Sequence, residues 1–256
     1  MKYFLVFVSG TIIGSFLNVC IYRIPLGKSV VWPGSHCTFC RKPIRWYDNI
    51  PLISYLILKG KCRNCGTPIP LRYFIVELVT ALSGVLLLYY FSLSPAFFVY
   101  WFFTCSLIVI MAIDIEHQEI PDSVSIPGIV LGLVLATVFR LTGGGTYPGA
   151  FLDSVLGVLA GGGSMFVLGV VGELVFKKEA LGGGDVKLMA MIGAFLGWKL
   201  VMLTFFMAPV LGAGVGLFMK LRFGKEEIAY GPYLSLGAFI SLLYGEKILD
   251  YLFLGL

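Results

Sequence analysis

Charge is what this chain has least of. Asp, Glu, Lys and Arg make up 13% of its 256 residues, against 58% hydrophobic ones, and the mean hydropathy is +0.93. So little polar surface excludes a soluble globule, and hydrocarbon must cover the remainder. The short alternating segments of a membrane β-barrel are missing too. The apolar runs are long instead, at about 3–20, 73–92, 96–113, 124–141, 150–176, 184–198, 199–219 and 231–254, with the sixth and seventh least cleanly separated. An unbroken helix of roughly 20 residues crosses a hydrocarbon core. Backbone groups in lipid need internal partners, so runs of this length are helices. The expected fold is an all-α polytopic membrane protein with about eight transmembrane helices.

Other absences narrow the reading. Lys2 precedes an apolar run, but no small-residue cleavage site follows; the run ends in Asn18-Val19-Cys20-Ile21-Tyr22-Arg23-Ile24-Pro25, so it is kept as a first transmembrane helix rather than a signal peptide. No internal repeat of the kind that builds transporters is visible, and the basic residues make no separate case for nucleic acid. They follow topology instead. Arg23, Lys28, Arg41, Lys42, Arg45, Lys59, Lys61, Arg63 and Arg72 lie in loop 20–72, and Lys177, Lys178, Lys187, Lys220, Arg222 and Lys225 fall on the same side. The opposite side holds Lys2, Arg140, Lys199 and Lys247. The positive-inside rule therefore places loop 20–72 in the cytoplasm and both termini outside, and the net +5 charge becomes a topological signal that also attracts anionic membrane lipids.

The one sizeable polar region runs from about 23 to 72. It contains Cys37-Thr38-Phe39-Cys40 and Cys62-Arg63-Asn64-Cys65, two C-x-x-C pairs whose spacing resembles the knuckles of a four-cysteine zinc site. Four thiolates converging on one ion would order a loop that has little core of its own. Disulfides or idle thiols are the alternative, but a reducing cytoplasm disfavours the first. Arg41, Lys42, Lys61 and Arg63 would offset the negative charge of a zinc tetrathiolate. Cys20 and Cys105 lie in apolar runs and read as buried small hydrophobes. The chain divides accordingly into a first helix (1–22), a cytoplasmic zinc-loop domain (23–72) and a transmembrane domain (73–256).

Two short stretches carry the carboxylates that stand out against the membrane pattern. Ile113-Asp114-Ile115-Glu116-His117-Gln118-Glu119-Ile120-Pro121-Asp122-Ser123 holds four carboxylates and no Lys or Arg, although it is a cytoplasmic connection that should be basic. Leu181-Gly182-Gly183-Gly184-Asp185-Val186-Lys187 opens a hydrophobic segment on the same face. Asp122 and Asp185 both suit helix N-termini, which is their structural explanation. Asp114 stands at a helix C-terminal end, where a carboxylate opposes the dipole. An ionisable group at a membrane boundary is a functional hypothesis by default, and the candidate partners of Asp185 are Asp114 and Asp122. Two close carboxylates equip a site for aspartyl hydrolysis, one taking a proton from water while the other donates to the scissile carbonyl. Gly182, Gly183 and Gly184 would let an extended peptide approach. His117, Glu116 and Glu119 read as a solvated rim that would attract basic segments.

Taken together these residues resemble the bacterial type IV prepilin peptidases, membrane aspartyl proteases of the Gly-x-Gly-Asp class that in the family are also N-methyltransferases. The likeness runs nearly end to end: Gly14 to Arg23, both cysteine pairs, Trp46-Tyr47-Asp48-Asn49-Ile50-Pro51, Arg72-Tyr73 with Glu77, Asp114 with Ile120-Pro121-Asp122, Glu179 to Met189, and Gly231-Pro232. The resemblance implies cleavage of the basic leader of prepilins or pseudopilins at the cytoplasmic face of the inner membrane, then methylation of the new amino terminus with S-adenosylmethionine. It implies Asp114 and Asp185 as catalytic aspartates, with Asp122 as the fallback. No Gly-x-Gly-x-x-Gly follows a strand, Gly143-Gly144-Gly145 lies in an outer loop, and Gly161-Gly162-Gly163 suits close helix packing. By that and by the resemblance, cofactor handling is expected at the borders of the cysteine loop, with Asp48, Asn49 and Glu77 as candidates. A membrane scaffold or a proton-coupled transporter would also use such aspartates, but transporter sites tend to the bilayer midplane between repeated halves.

Overall fold

A computed structural model of the chain describes residues 1–141, 151–177, 182–223 and 229–254. Gly143-Gly144-Gly145, Lys178, Glu179, Ala180, Leu181 and Lys225 lie outside the described residues. The order is α1 (Lys2–Arg23), a 3-10 turn at Trp46–Asn49, α2 (Ile53–Ile57), α3 (Arg72–Phe91), α4 (Pro95–His117), α5 (Asp122–Leu141), α6 (Phe151–Phe176), α7 (Gly183–Phe223) and α8 (Gly231–Leu254). Five of these are long and apolar enough to cross a membrane: α1, α3, α4, α6 and α7. No named strand occurs among the described residues, so the polytopic helical expectation holds.

The helices divide between two compact units, Met1–Val109 and Ile110–Leu256. In the first, α1 and α3 run antiparallel. A Cβ at Gly10 would lie 2.5 Å from the Ala81 Cα, and one at Gly14 would lie 2.6 Å from the Glu77 Cα. One turn further on, the Asn18 amide donates to the Tyr73 carbonyl at 3.0 Å. Steps of four on α1 thus meet steps of four, reversed, on α3. Small residues let helix backbones meet closely where lipid supplies no hydrophobic drive of its own.

In the second unit the same device joins α6 to the first part of α7. A Cβ at Gly157 would collide with the Gly193 carbonyl oxygen, and one at Gly161 with the Met189 carbonyl oxygen. Gly163, in contrast, has open space at its Cβ position. The α5 helix runs alongside α7 in the same direction, with Gly128 against Met191 and Gly132 against Ala194.

The uncertain border between the sixth and seventh apolar runs falls on Gly197, which leaves helical geometry at φ 78° and ψ 175°. That left-handed, extended conformation is open mainly to glycine. The Trp198 amide donates to the Asp153 carboxylate of α6, which caps the start of the second part. A Cβ at Gly197 would strike that same carboxylate. The second part returns antiparallel to α8: Gly245 meets Leu200, the Thr204 hydroxyl donates to Ser241 at 3.0 Å, and Gly212 meets Tyr233. Counting both parts of α7, eight apolar helical segments result among the described residues. Gly157→Leu is expected to cost about 1–3 kcal/mol or more through overpacking, whereas Gly163→Leu on the same helix stays near neutral. Thermal unfolding in detergent distinguishes the two.

Candidate functional site

The acidic stretch does not end its helix where hydropathy does. The α4 helix continues to His117, so Asp114 lies inside the last turn and is 5% exposed. What makes a buried carboxylate tolerable there is the start of α8: the Gly231 amide donates to Asp114 Oδ2 at 2.8 Å. The positive end of the α8 dipole adds to this hydrogen bond. The approach requires glycine, because a Cβ at position 231 would lie 2.6 Å from that oxygen.

Asp185 occupies the first turn of α7, half-buried, its own amide bonded to the Gly182 carbonyl at 3.1 Å. Asp114 and Asp185 lie close enough for their charges to interact. Tyr230, which precedes the amide that holds Asp114, also feels Asp185; burial first and that charge second push its phenol up to about 12. The three glycines before Asp185 differ in role. Gly184 backs closely on Ile120, where a Cβ would sit 2.8 Å from the isoleucine Cβ, while Gly183 has open space around it.

Asp122 is the first residue of α5 rather than the cap preceding it. Its exposed carboxylate accepts two hydrogen bonds from Lys187 Nζ, at 2.6 and 2.7 Å. The pair ties the start of α5 to the start of α7, two residues past Asp185. Glu116, His117 and Glu119 are exposed, as a solvated rim should be. Sequence reasoning missed Tyr230, Lys187 and the Gly231 amide. The Gly231-Pro232 pair opening a helix was the available signal for the last of these.

In the first unit the cysteines gather as their spacing suggests. The sulfurs of Cys37, Cys40, Cys62 and Cys65 all lie within 4.8 Å of one another, and Cys37 and Cys65 are 3.8 Å apart. A tetrahedron of metal–sulfur bonds near 2.3 Å has edges of about 3.8 Å. The two halves of the cluster repeat each other with an offset of 25 residues. Cys37 N–H bonds to the Lys42 carbonyl as Cys62 N–H does to Thr67, and Ile44 N–H to Ser35 as Ile69 N–H does to Gly60. The bridges His36 to Pro43 and Lys61 to Pro68 match in the same way. Two equivalent turns thus present four thiols to one point. The donor set and spacing fit a metal ion.

Beside the cysteines, the ends of α1 and α3 and the loop enclose a pocket of about 200 Å³ that Asp48, Asn49 and Glu77 all line. Asp48 is held by a forked pair with Arg63, Nε at 2.8 and 3.0 Å and Nη2 at 2.7 Å. The hydrogen bonds and charge of that guanidinium hold the Asp48 carboxyl below its ordinary range. Glu77 accepts the Leu52 amide at 2.8 Å. Leu52 has φ 61°, a strained value for leucine, so the carboxylate pins an unusual bend.

Comparison with known proteins follows the same two parts of the chain. Residues 101–217 match the model of the type IV leader peptidase family, and residues 8–91 match that of the bacterial Peptidase A24 N-terminal domain. A Pseudomonas putida protein named prepilin leader peptidase/N-methyltransferase is 33% identical over 94% of this chain and 90% of its own length. The chain belongs to the type IV leader peptidase family. Other members with the same name include one from Neisseria gonorrhoeae, 34% identical over 94% of this chain and 90% of its own length. A Myxococcus xanthus member is 41% identical over 86% of this chain, which spans 63% of that relative's length. No solved structure matches the chain.

Burial separates the leader peptidase aspartates energetically. Asp114→Leu leaves the Gly231 amide without its acceptor and is expected to cost about 1–3 kcal/mol. Asp122→Asn loses an exposed ion pair and is expected to cost less than about 1 kcal/mol. Both are read from thermal unfolding.

Proposed function

We propose that this chain removes the basic leader from type IV prepilins or pseudopilins as a membrane aspartic endopeptidase, and then methylates the new amino terminus. The observation that carries the peptidase reading is that the turns bearing Asp114 and Asp185 meet: Gly231, whose amide donates to Asp114, and Gly184, which precedes Asp185, both pack against Ile120. Membership of the leader peptidase family and the names of its relatives support both activities.

In the proposed mechanism one carboxylate takes a proton from water as the water oxygen bonds to the scissile carbonyl carbon. The other gives its proton to the carbonyl oxygen. Collapse of the tetrahedral intermediate breaks the C–N bond and returns a proton to the leaving amine. The pair titrates as a unit, so neither aspartate owns one role. Asp122 is the weaker candidate because Lys187 already engages its carboxylate. Gly183, open on its free side, leaves room for the substrate backbone beside Asp185.

The four cysteines are read as a structural zinc site that orders the loop. S-adenosylmethionine, when bound, supplies an electrophilic methyl group on its sulfonium sulfur. Asp48, Asn49 and Glu77 are the residues proposed to hold it, and the buried polar groups lining their pocket suit a polar, charged guest. The protein is read as a multi-pass protein of the bacterial inner membrane, with the zinc loop and the aspartates on the cytoplasmic side and both termini outside, as its basic residues favour. The hydrophobic helix of a prepilin would enter laterally from the lipid while its basic leader stays in the cytoplasm.

Asp114→Asn and Asp185→Asn are each expected to lower leader cleavage by at least about a hundredfold, while methylation of an already cleaved substrate persists. Asp122→Asn should retain most cleavage. Undiminished cleavage by Asp185→Asn, read by mass measurement of the product, contradicts the assignment. Elemental analysis should find one zinc per chain, lost on Cys62→Ser; a metal-free protein with full activity contradicts the structural role of zinc.

A further inference from the structure

Two buried polar groups in the first unit are left without the partners their chemistry calls for. Asn18 is 1% exposed, and its amide nitrogen donates to the Tyr73 carbonyl at 3.0 Å and the Gly14 carbonyl at 3.3 Å. Both neighbours are acceptors, so turning the amide round would lose both bonds, and the assignment of its two ends follows. That leaves Asn18 Oδ1 buried with no donor. An orphaned buried acceptor costs free energy unless something fills it.

Glu77 lies one turn from Tyr73 on α3 and directly across from Gly14 on α1, so it neighbours Asn18 at the same helix junction. It is 7% exposed. Its partners are the Leu52 amide and the Ser15 hydroxyl, and among the described residues no cation pairs with it. A buried carboxylate wants a positive partner. Asn18 and Glu77 both line the pocket beside the cysteines. A water molecule would satisfy the amide oxygen but would not offset the charge. A calcium ion would want about six to eight oxygen ligands, far more than one amide and one carboxylate supply.

We propose that Asn18 and Glu77 form a subsite for a primary ammonium group. Such a group carries one positive charge and three N–H donors, enough for the orphaned oxygen and the carboxylate together. The inference rests on the methyltransferase reading, which supplies two sources of that group: the amino group of S-adenosylmethionine and the freed amino terminus of the cleaved pilin. The subsite is the same for either.

The test measures dissociation constants on the full-length protein in detergent. One arm uses S-adenosylmethionine against its N-acetylated form; the other uses a short peptide beginning with Phe against the same peptide N-acetylated. In the wild-type protein one free amine should bind at least about tenfold tighter than its acetylated form, as expected of a charge-assisted hydrogen bond, and the arm in which this happens identifies the source. Glu77→Gln keeps the shape and an acceptor for Leu52, and should abolish the discrimination by bringing the free amine and its acetylated form to the same affinity. Asn18→Leu should reduce the discrimination likewise, with its unfolding temperature recorded beside it. If the free ligands bind but acetylation changes nothing, or Glu77→Gln keeps the discrimination, the subsite is wrong and the methyltransferase reading stands. If neither ligand binds the wild-type protein, the methyltransferase reading falls and the subsite with it.

Discussion

A carboxylate buried at the end of an apolar helix must find a donor, and for Asp114 the donor is a backbone amide. Nothing in the α4 turn that carries it supplies one; the Gly231 N–H at 2.8 Å does. That single bond fixes where α8 must begin and why its first residue is glycine. From there α8 runs back along the second part of α7 through contacts of its own. The first part of α7 brings Asp185 to the same end, with Gly184 seated against Ile120. Helix order, glycine placement and the meeting of two charges thus answer one desolvation constraint.

Glycine recurs because close approach is the available way to join helices whose outer faces are as apolar as lipid. Gly10 and Gly14 join α1 to α3, Gly157 and Gly161 join α6 to α7, and Gly128 and Gly132 join α5 to α7. The contacts also set register. The step of four that seats Gly10 and Gly14 carries Asn18 to Tyr73 and lays Glu77 beside it. Packing and polar chemistry therefore cannot be varied independently in α1 and α3.

How much of this was legible beforehand depended on the kind of signal. The long helices were, because unbroken apolar runs admit no other backbone solution in lipid. The cysteine cluster was, because the spacing of two C-x-x-C pairs constrains geometry directly, and the 25-residue offset of its backbone bonds matches Cys-x-x-Cys-x-x-Pro-Ile at 37–44 and again at 62–69, a repeat the sequence reading passed over. The break at Gly197 blurred the sixth and seventh segments because hydropathy does not fall at a glycine; only the Asp153 carboxylate of α6 explains it. Asp114 and Asp185 stood out as costly charges, but Gly231, Tyr230 and Lys187 did not. Their importance comes from neighbours far away in sequence. Asn18 and Glu77 were seen separately and never as a pair, because their meeting depends on the antiparallel register of α1 and α3.

In the proposed peptidase, two carboxylates held by different helices act as one catalytic unit. The direct measurement is a double-substitution cycle on kcat/KM for leader cleavage, comparing Asp114→Asn, Asp185→Asn and the protein carrying both. Residues that act as a unit are grossly non-additive. The double substitution is predicted to lose no more activity than the worse single one. Losses that multiply, so that the double variant falls by the product of the two single factors, would show two independent contributions and rule out a shared catalytic unit.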